Sequence, residues 1–315
     1  MSDEKKRVGV MIMAYGGPNS IDEVPAFLAD IRGGRPTSQE LIDEITERYE
    51  HIGGRSPILE LTTAQAESVE RELNSEDDGY EYRCYVGMRH WDPYIEDVVP
   101  EMLSDDVDIV AGAVMAPHFS RMSVGAYMGK LSKALKENEV SVPVVQVQSW
   151  KDEPGFIEAV ASKIQEAMAR HYPDKKLNEV VVLFTAHSLP ARVVESGDPY
   201  REEILTSVDL VAEQLGLTNY RFAFQSQGAT ADPWLGPSVE ETLEEFAGNG
   251  VKEILFVPIG FVCDHVEVLF DVDIEHREQA EELGIRLERT EMLNDNPGLA
   301  KAVANAVRTA VAGAN

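Results

Sequence analysis

Four short, unbroken apolar runs punctuate the chain: VGVMIMA at 8–14, IVAGAVMA at 109–116, VVVLFT at 180–185 and ILFVPIGF at 254–261. None alternates with polar residues, and each gives way to turn-forming or polar positions. That is how strands covered on both faces read, as in a parallel sheet. YRCYVGM (82–88), PVVQVQSW (143–150) and YRFAFQSQ (220–227) read as weaker strands. Between the runs, apolar positions switch to helical spacing. Asp198 and Pro199 form an N-cap and first-turn pair. Ile204, Leu205, Val208, Val211, Ala212 and Leu215 follow at the helical period, and Gly216 supplies the stop. Pro154 opens a helix with Ile157, Val160, Ala161, Ile164 and Met168 on one face. Pro237 opens another, closed by Gly248, Asn249 and Gly250, and Asn296 with Pro297 starts a last one reaching Val311. Strands alternating with helices predict an α/β, doubly wound fold. The order runs twice, one strand leading to APH (116–118) and another to TAH (185–187). This predicts two similar lobes, 1–150 and 151–315, with the last helix packing back on the first.

At 315 residues the chain is long for a single core, in keeping with two lobes. No apolar run reaches the length of a membrane span, and the start reads as a charged lead into a first strand, not as a signal peptide. The cytoplasm is the default address. The net charge of −28, from 56 acidic against 28 basic residues, argues against a nucleic-acid binder, which needs a basic footprint. It favours solubility, and a salty cytosol would relieve the self-repulsion. Cys84 and Cys263 form no CxxC pair, which excludes an iron–sulfur cluster or zinc cage held by four cysteines.

In open parallel sheets, ligands sit beyond the carboxyl ends of the strands. His118, His187 and the turn MAYGGP, with Tyr15, all fall at such ends. Ser188 makes no nucleophile–base pair with His187, and no GxGxxG, GxxxxGK[ST] or GxSxG motif follows any strand. A second feature is CDHVEVLFDVDIEH (263–276), where Glu267, Asp271 and Glu275 stand four residues apart on an otherwise apolar helix. Stacked carboxylates on a largely buried helix need a cavity, a cation or a shared proton. A third is the basic stretch 31–57, IRGGRP and ERYEHIGGRSP. Its Arg32, Arg35, Arg48 and Arg55, beside Tyr49 and Ser56, are suited to binding carboxylates. Tyr127 and Trp234 are candidates for an apolar wall. Histidine and carboxylate ligands without cysteine suit a labile divalent metal. The residues by themselves therefore point to a metal-handling α/β protein with a site for an anionic ligand.

LFTAHSLP followed by SGDPY (183–200) resembles the histidine block of the ferrochelatases. MAYGGP, DIRGGRP, RYEHIGGRSP, APHFS, QSQGATADPWLGP and PIGFVCDHVEVLFD resemble that family's other blocks, in the same order and across almost the whole chain. The resemblance implies two Rossmann-like lobes, a cleft between them, and insertion of Fe2+ into a porphyrin in haem biosynthesis. It implies that His187 and Glu267 face each other across the cleft, binding the iron or accepting the pyrrole protons. Asp271 and Glu275 would extend Glu267 into a ladder of oxygen ligands on a locally widened helix. Fe2+ is then a substrate, and no cofactor is bound permanently.

Tyr15 resembles the tyrosine of the soluble, Gram-positive type that metallates coproporphyrin III, where it can approach the iron. Tyr15, Arg32, Arg48, Tyr49, Ser56 and Tyr127 would line the macrocycle site and meet its propionates. This chain departs from that type in having Gly33 where a further basic residue is often found. It also carries no cysteine cluster or C-terminal membrane-binding extension of the kind seen in animal relatives. The partners implied are the porphyrin, Fe2+ and haem-pathway proteins, without nucleic acid or an integral membrane segment. The alternatives are protoporphyrin IX as substrate, a related chelatase inserting Co2+, and a non-catalytic haem or metal carrier.

Overall fold

The computed structural model describes residues 5–228 and 232–314. Two compact units emerge, one formed by 1–155 with 294–315 and the other by 156–293. In the first, β1 (Lys6–Ala14), β2 (Tyr80–Met88), β3 (Ile109–Val114) and β4 (Val144–Val147) form a parallel sheet in the order β2-β1-β3-β4. In the second, β5 (Val181–His187), β6 (Tyr220–Gln225), β7 (Glu253–Val257) and β8 (Arg286–Arg289) form a parallel sheet in the order β6-β5-β7-β8. The second order is the first advanced by four strands, so the repetition legible in the sequence is a repetition of topology.

Burial explains the unbroken apolar runs. All six residues of β3, and β5 up to its last residue, are buried, because helices cover both faces of each sheet. In the first unit, Met11, Met13, Val110 and Val114 pack with residues of the helices Ile95–Ser104 and Val124–Glu137. In the second, Leu183, Phe256, Val239, Leu243 and Val272 share one core. Val272 thus nails the carboxylate-bearing helix to the sheet by its apolar side. The last helix, Pro297–Ala312, lies against Ile58–Leu73, and Arg308 donates to the carbonyls of Glu72 and Leu73.

The differences from expectation are local. The apolar run 254–261 stops pairing at Val257, since Pro258 has no N–H to offer and Ile259 turns back onto the Val257 carbonyl. β8, RLER, was hidden because its charges mask the strand pattern. The helix Tyr200–Leu215 takes Pro199 as its N-cap, one residue later than the sequence implied. Asp198 still accepts the Tyr200 N–H, and Gly216 closes the helix at φ 62°. The helix Val239–Gly248 begins two residues beyond Pro237, with Ser238 as its N-cap, where Ser238 and Glu241 cap each other reciprocally.

Candidate active site

Three adjacent carboxyl ends build the site in the second unit. His187 is the last residue of β5, and Gln225, its register partner, is the last of β6. After β7 the chain turns through Gly260, whose N–H donates to the Thr185 carbonyl. A β-carbon there would stand 2.5 Å from that of Ala186, so glycine lets the turn lie directly on the end of β5. That close approach delivers 261–267 to His187. The buried Gln225 ties the two together, accepting from the Thr185 hydroxyl (2.7 Å) and donating to the Glu267 carbonyl (2.8 Å).

His187 and Glu267 form an ion pair, Nε2 to Oε1, at 3.4 Å, with side chains 32% and 30% exposed. They do not face each other across a cleft, as the resemblance implied: both belong to the second unit, because the β5–β7 pairing sets their segments side by side. The other carboxylate oxygen of Glu267 stands 3.6 Å from His265 Nε2. His187 Nδ1 donates to the Ser188 carbonyl, and the Tyr200 hydroxyl donates to the His187 carbonyl at 3.0 Å. With Nδ1 committed to a backbone acceptor, Nε2 is the nitrogen that can take or release a proton.

The electrostatics are those of a charged pair enclosed by protein on most sides but still touching solvent. Burial disfavours the imidazolium, but the Glu267 charge and hydrogen bond, the Ser188 carbonyl and Asp271 outweigh it and carry His187 up to about 9. Burial likewise works against ionised Glu267, yet His187 and then His265 hold it well below the usual carboxylate range. At neutral pH the pair is imidazolium and carboxylate.

From Glu267 the helix runs as one α turn, Val266–Leu269, then a π-helical stretch, Asp271–His276, then α again over Arg277–Glu282. The widening shows in the Glu275 N–H, which reaches the Phe270 carbonyl five residues back at 3.1 Å. Asp271 is buried and accepts from the Ser226 hydroxyl; Glu275 is exposed. Among the described residues, no group of three or more His, Cys, Asp or Glu side chains is set to hold a metal ion. A cation arriving here has to compete with two imidazoles for Glu267.

In the first unit, the turn after β1 holds Gly16 at φ +91°, and Gly17 leaves room for Ser56, which a β-carbon would approach to 2.6 Å. Tyr15 is 38% exposed, its ring 4.7 Å from that of His90. Arg32 and Arg48 are partly exposed, and Arg48 pairs with Glu44 at 3.2 Å. Tyr49, Ser56 and Tyr127 are instead buried. Tyr49 packs edge-on against Phe27, and the Arg89 guanidinium covers the Tyr127 ring. His118 is a core histidine, which burial foremost, then Lys151, pushes down to about 3. Sequence reasoning missed His265, Gln225, Ser226 and His90. Gln225, Ser226 and His90 lie at or just past strand ends, the signal that could have found them, whereas His265 sits two residues before Glu267 at the start of its helix. Of the QSQGATADPWLGP block, residues 229–231 lie outside the described ones. Among the described residues, no helix is long and apolar enough to cross a membrane.

A family model described as Ferrochelatase matches residues 7–311. A ferrochelatase of Herpetosiphon aurantiacus is 43% identical over 291 residues, covering 92% of this chain and 95% of its own. A coproporphyrin III ferrochelatase of Halalkalibacterium halodurans is 41% identical over 310 residues, covering 98% of each. Among solved structures, SirB from Bacillus subtilis with Fe3+ aligns over 98% of this chain and 96% of its own. Its TM-score is 0.62 at 10% identity, a likeness of fold alone.

Proposed function

The chain belongs to the ferrochelatase family, which inserts iron into a porphyrin, and from that premise we propose that its substrate is coproporphyrin III and its metallation centre is His187 with Glu267. The observation that carries the centre is the pair itself: a strand-end imidazole and a carboxylate 3.4 Å apart, both still reachable from solvent. Fe2+ and a porphyrin bearing two N–H groups give the iron porphyrin and two protons. Fe2+ is caught by the exposed Glu275, passed to Asp271 and received by Glu267. A dication at Glu267 repels the imidazolium and competes for its partner, so His187 gives up its proton. Nε2 is then free to accept a pyrrole proton, and passing it on readies it for the second. Glu267 stabilises the positive charge present while metal and protons exchange.

For the macrocycle, Tyr15, Arg32 and Arg48 keep exposed surface and are the groups assigned to it in the first unit, Tyr15 to approach the iron and the arginines to meet propionates. Tyr49, Ser56 and Tyr127 shape the wall behind them. Four propionates distinguish coproporphyrin III from the two of protoporphyrin IX, so in this acidic protein the arginines supply the local attraction. The relative from Halalkalibacterium halodurans, matched over 98% of both chains, supports the same choice. The reaction would run in the cytoplasm, the product passing to haem-pathway proteins. Anaerobic Fe2+ offered with each porphyrin separately, followed by absorbance, tests the assignment. Turnover at least ~10-fold more efficient with coproporphyrin III supports it, about 1.4 kcal/mol of discrimination. Equal or better use of protoporphyrin IX overturns it.

A further inference from the structure

The helix that carries Glu267, Asp271 and Glu275 changes register partway, and something must decide that register. On an ideal α-helix, residues four apart are offset by about 40°, so three of them drift about 80° around the axis. The π stretch Asp271–His276 inserts one extra residue and takes up that drift. A π turn is the rarer state, and sliding to an ordinary α turn would rotate everything beyond it by about 100°.

Of the side chains that tie this helix to the sheet, Arg289 makes the bidentate contact. Arg289, the last residue of β8, is 12% exposed at its side chain and lies against the π stretch. Its Nε and Nη2 donate to both oxygens of Asp273, at 2.8 and 2.7 Å, in a bidentate fork. Nη2 also lies 3.5 Å from Asp264, and Nη1 donates to the Thr290 carbonyl at 2.9 Å. The base of the fork is fixed, since Arg289 pairs in register with Phe256 of β7 and the Thr290 N–H donates to the Phe256 carbonyl. Asp264 precedes Glu267 by three residues, and Asp273 follows Asp271 by two. A single, largely buried guanidinium therefore holds the segment at Asp273, between Asp271 and Glu275, and lies close to Asp264, ahead of Glu267. Arg277 also reaches Asp273 at 4.0 Å from the same helix, and Glu288 of β8 at 3.7 Å, but both contacts are longer than the Arg289 fork and neither is bidentate.

We propose that Arg289 is a positioning residue that holds the metal-receiving helix in its wide register, and so keeps Glu267, Asp271 and Glu275 in file for Fe2+. The fork to Asp273 exists only in that register; an α turn would carry Asp273 away from a guanidinium that the sheet prevents from following. The inference rests on the reading of those carboxylates as the route of the metal, and it adds the device that aligns them.

The test compares Arg289→Met, Arg289→Lys, Asp273→Asn and Asp271→Asn in steady-state kinetics with each substrate varied in turn. Zn2+ binding to the porphyrin-free protein, by equilibrium dialysis, serves as a readout independent of turnover. Arg289→Met should raise the KM for Fe2+ and weaken Zn2+ binding by ~10-fold or more, the usual scale for an outer group that orients ligands. The KM for porphyrin should stay within about twofold. Arg289→Lys keeps the charge without the fork and should fall between the two. Adding Asp271→Asn to Arg289→Met should cost less than the sum of the single effects, because they act on one route. A lower melting temperature with unchanged KM for Fe2+ and unchanged Zn2+ binding would make Arg289 structural only and overturn the proposal, as would equal shifts in both KM values. Should Arg289→Met fail to fold, Arg289→Lys and Asp273→Asn carry the same comparison. If Asp271→Asn alone leaves Fe2+ handling untouched while Arg289→Met disturbs it, the metal route is misassigned beyond Glu267, but the positioning of Glu267 by Arg289 stands.

Discussion

Replacing Glu267 by glutamine removes the charge that keeps His187 protonated, and the consequence can be worked out from the site. With Glu267 in place the imidazole is carried from its ordinary 6.5 up to about 9, so at pH 7 only about 1% of it is neutral. In Glu267→Gln the largest remaining influence is burial, which disfavours the imidazolium; the Ser188 carbonyl and Asp271 oppose it. The midpoint should return to about 6.5 or lower, a ~300-fold loss of proton affinity or more. The sign for stability follows. The raised His187 value contributes support that is complete below pH 6.5 and is lost as pH climbs through about 9. The depressed Glu267 value contributes support that is complete above pH 4.5 and is lost as pH falls through its native value. The pair therefore supports the fold fully between those ordinary values of 4.5 and 6.5, and its contribution fades on the alkaline side first. Long-range 1H–15N correlation spectra recorded against pH resolve the seven histidines, and a His187→Ala spectrum assigns the signal. A His187 midpoint near 6.5 in the unaltered protein, or no change in Glu267→Gln, would refute the reasoning.

Three other outcomes are expected. His187→Ala and Glu267→Ala should each lower iron insertion by ~100-fold or more, the scale of lost acid–base catalysis, with far-ultraviolet circular dichroism unchanged; turnover near normal in either variant rejects the assigned roles. Tyr15→Leu should alter the absorption spectrum of the bound iron porphyrin, because an exposed phenol at the end of β1 is lost; an identical spectrum makes Tyr15 packing only. Raising salt from about 0.01 to 1 M, which shortens the screening length from roughly 30 to 3 Å, should speed capture of the anionic porphyrin by a protein of net charge −28 and weaken capture of Fe2+. Stopped-flow rates that fall with salt for the porphyrin would mean the local arginines outweigh the net charge.

Much of the architecture was open to reading because it rests on local rules. Unbroken runs such as VVVLFT announce strands buried on both faces, and β5 is buried up to His187. Asn296 caps the last helix by accepting the Gly298 N–H, and Gly216 ends its helix at positive φ, as their residue types foretell. β8 escaped because three of the four residues of RLER are charged on a short edge strand, where Leu287 alone marks the buried face. The basic stretch 31–57 was legible as arginine-rich, but not which of its members would be enclosed. Tyr49 and Ser56 went into the core while Arg32 and Arg48 kept contact with solvent.

The sequence alone determined which segments are strands and helices, that their order repeats, and that a histidine would end one strand while carboxylates stacked on one helix. These follow from periodicity and capping, which act over a few residues. Only the tertiary structure decided that His187 and Glu267, eighty residues apart, would share a proton within one unit. It also decided that His265 would take the second oxygen of Glu267 and that Arg289 would grip the widened helix. Such pairings depend on the registers of β5, β7 and β8 and on one glycine-permitted turn. Ion pairing is set by distances of a few ångströms between segments far apart in the chain, and no local pattern of residues encodes those distances.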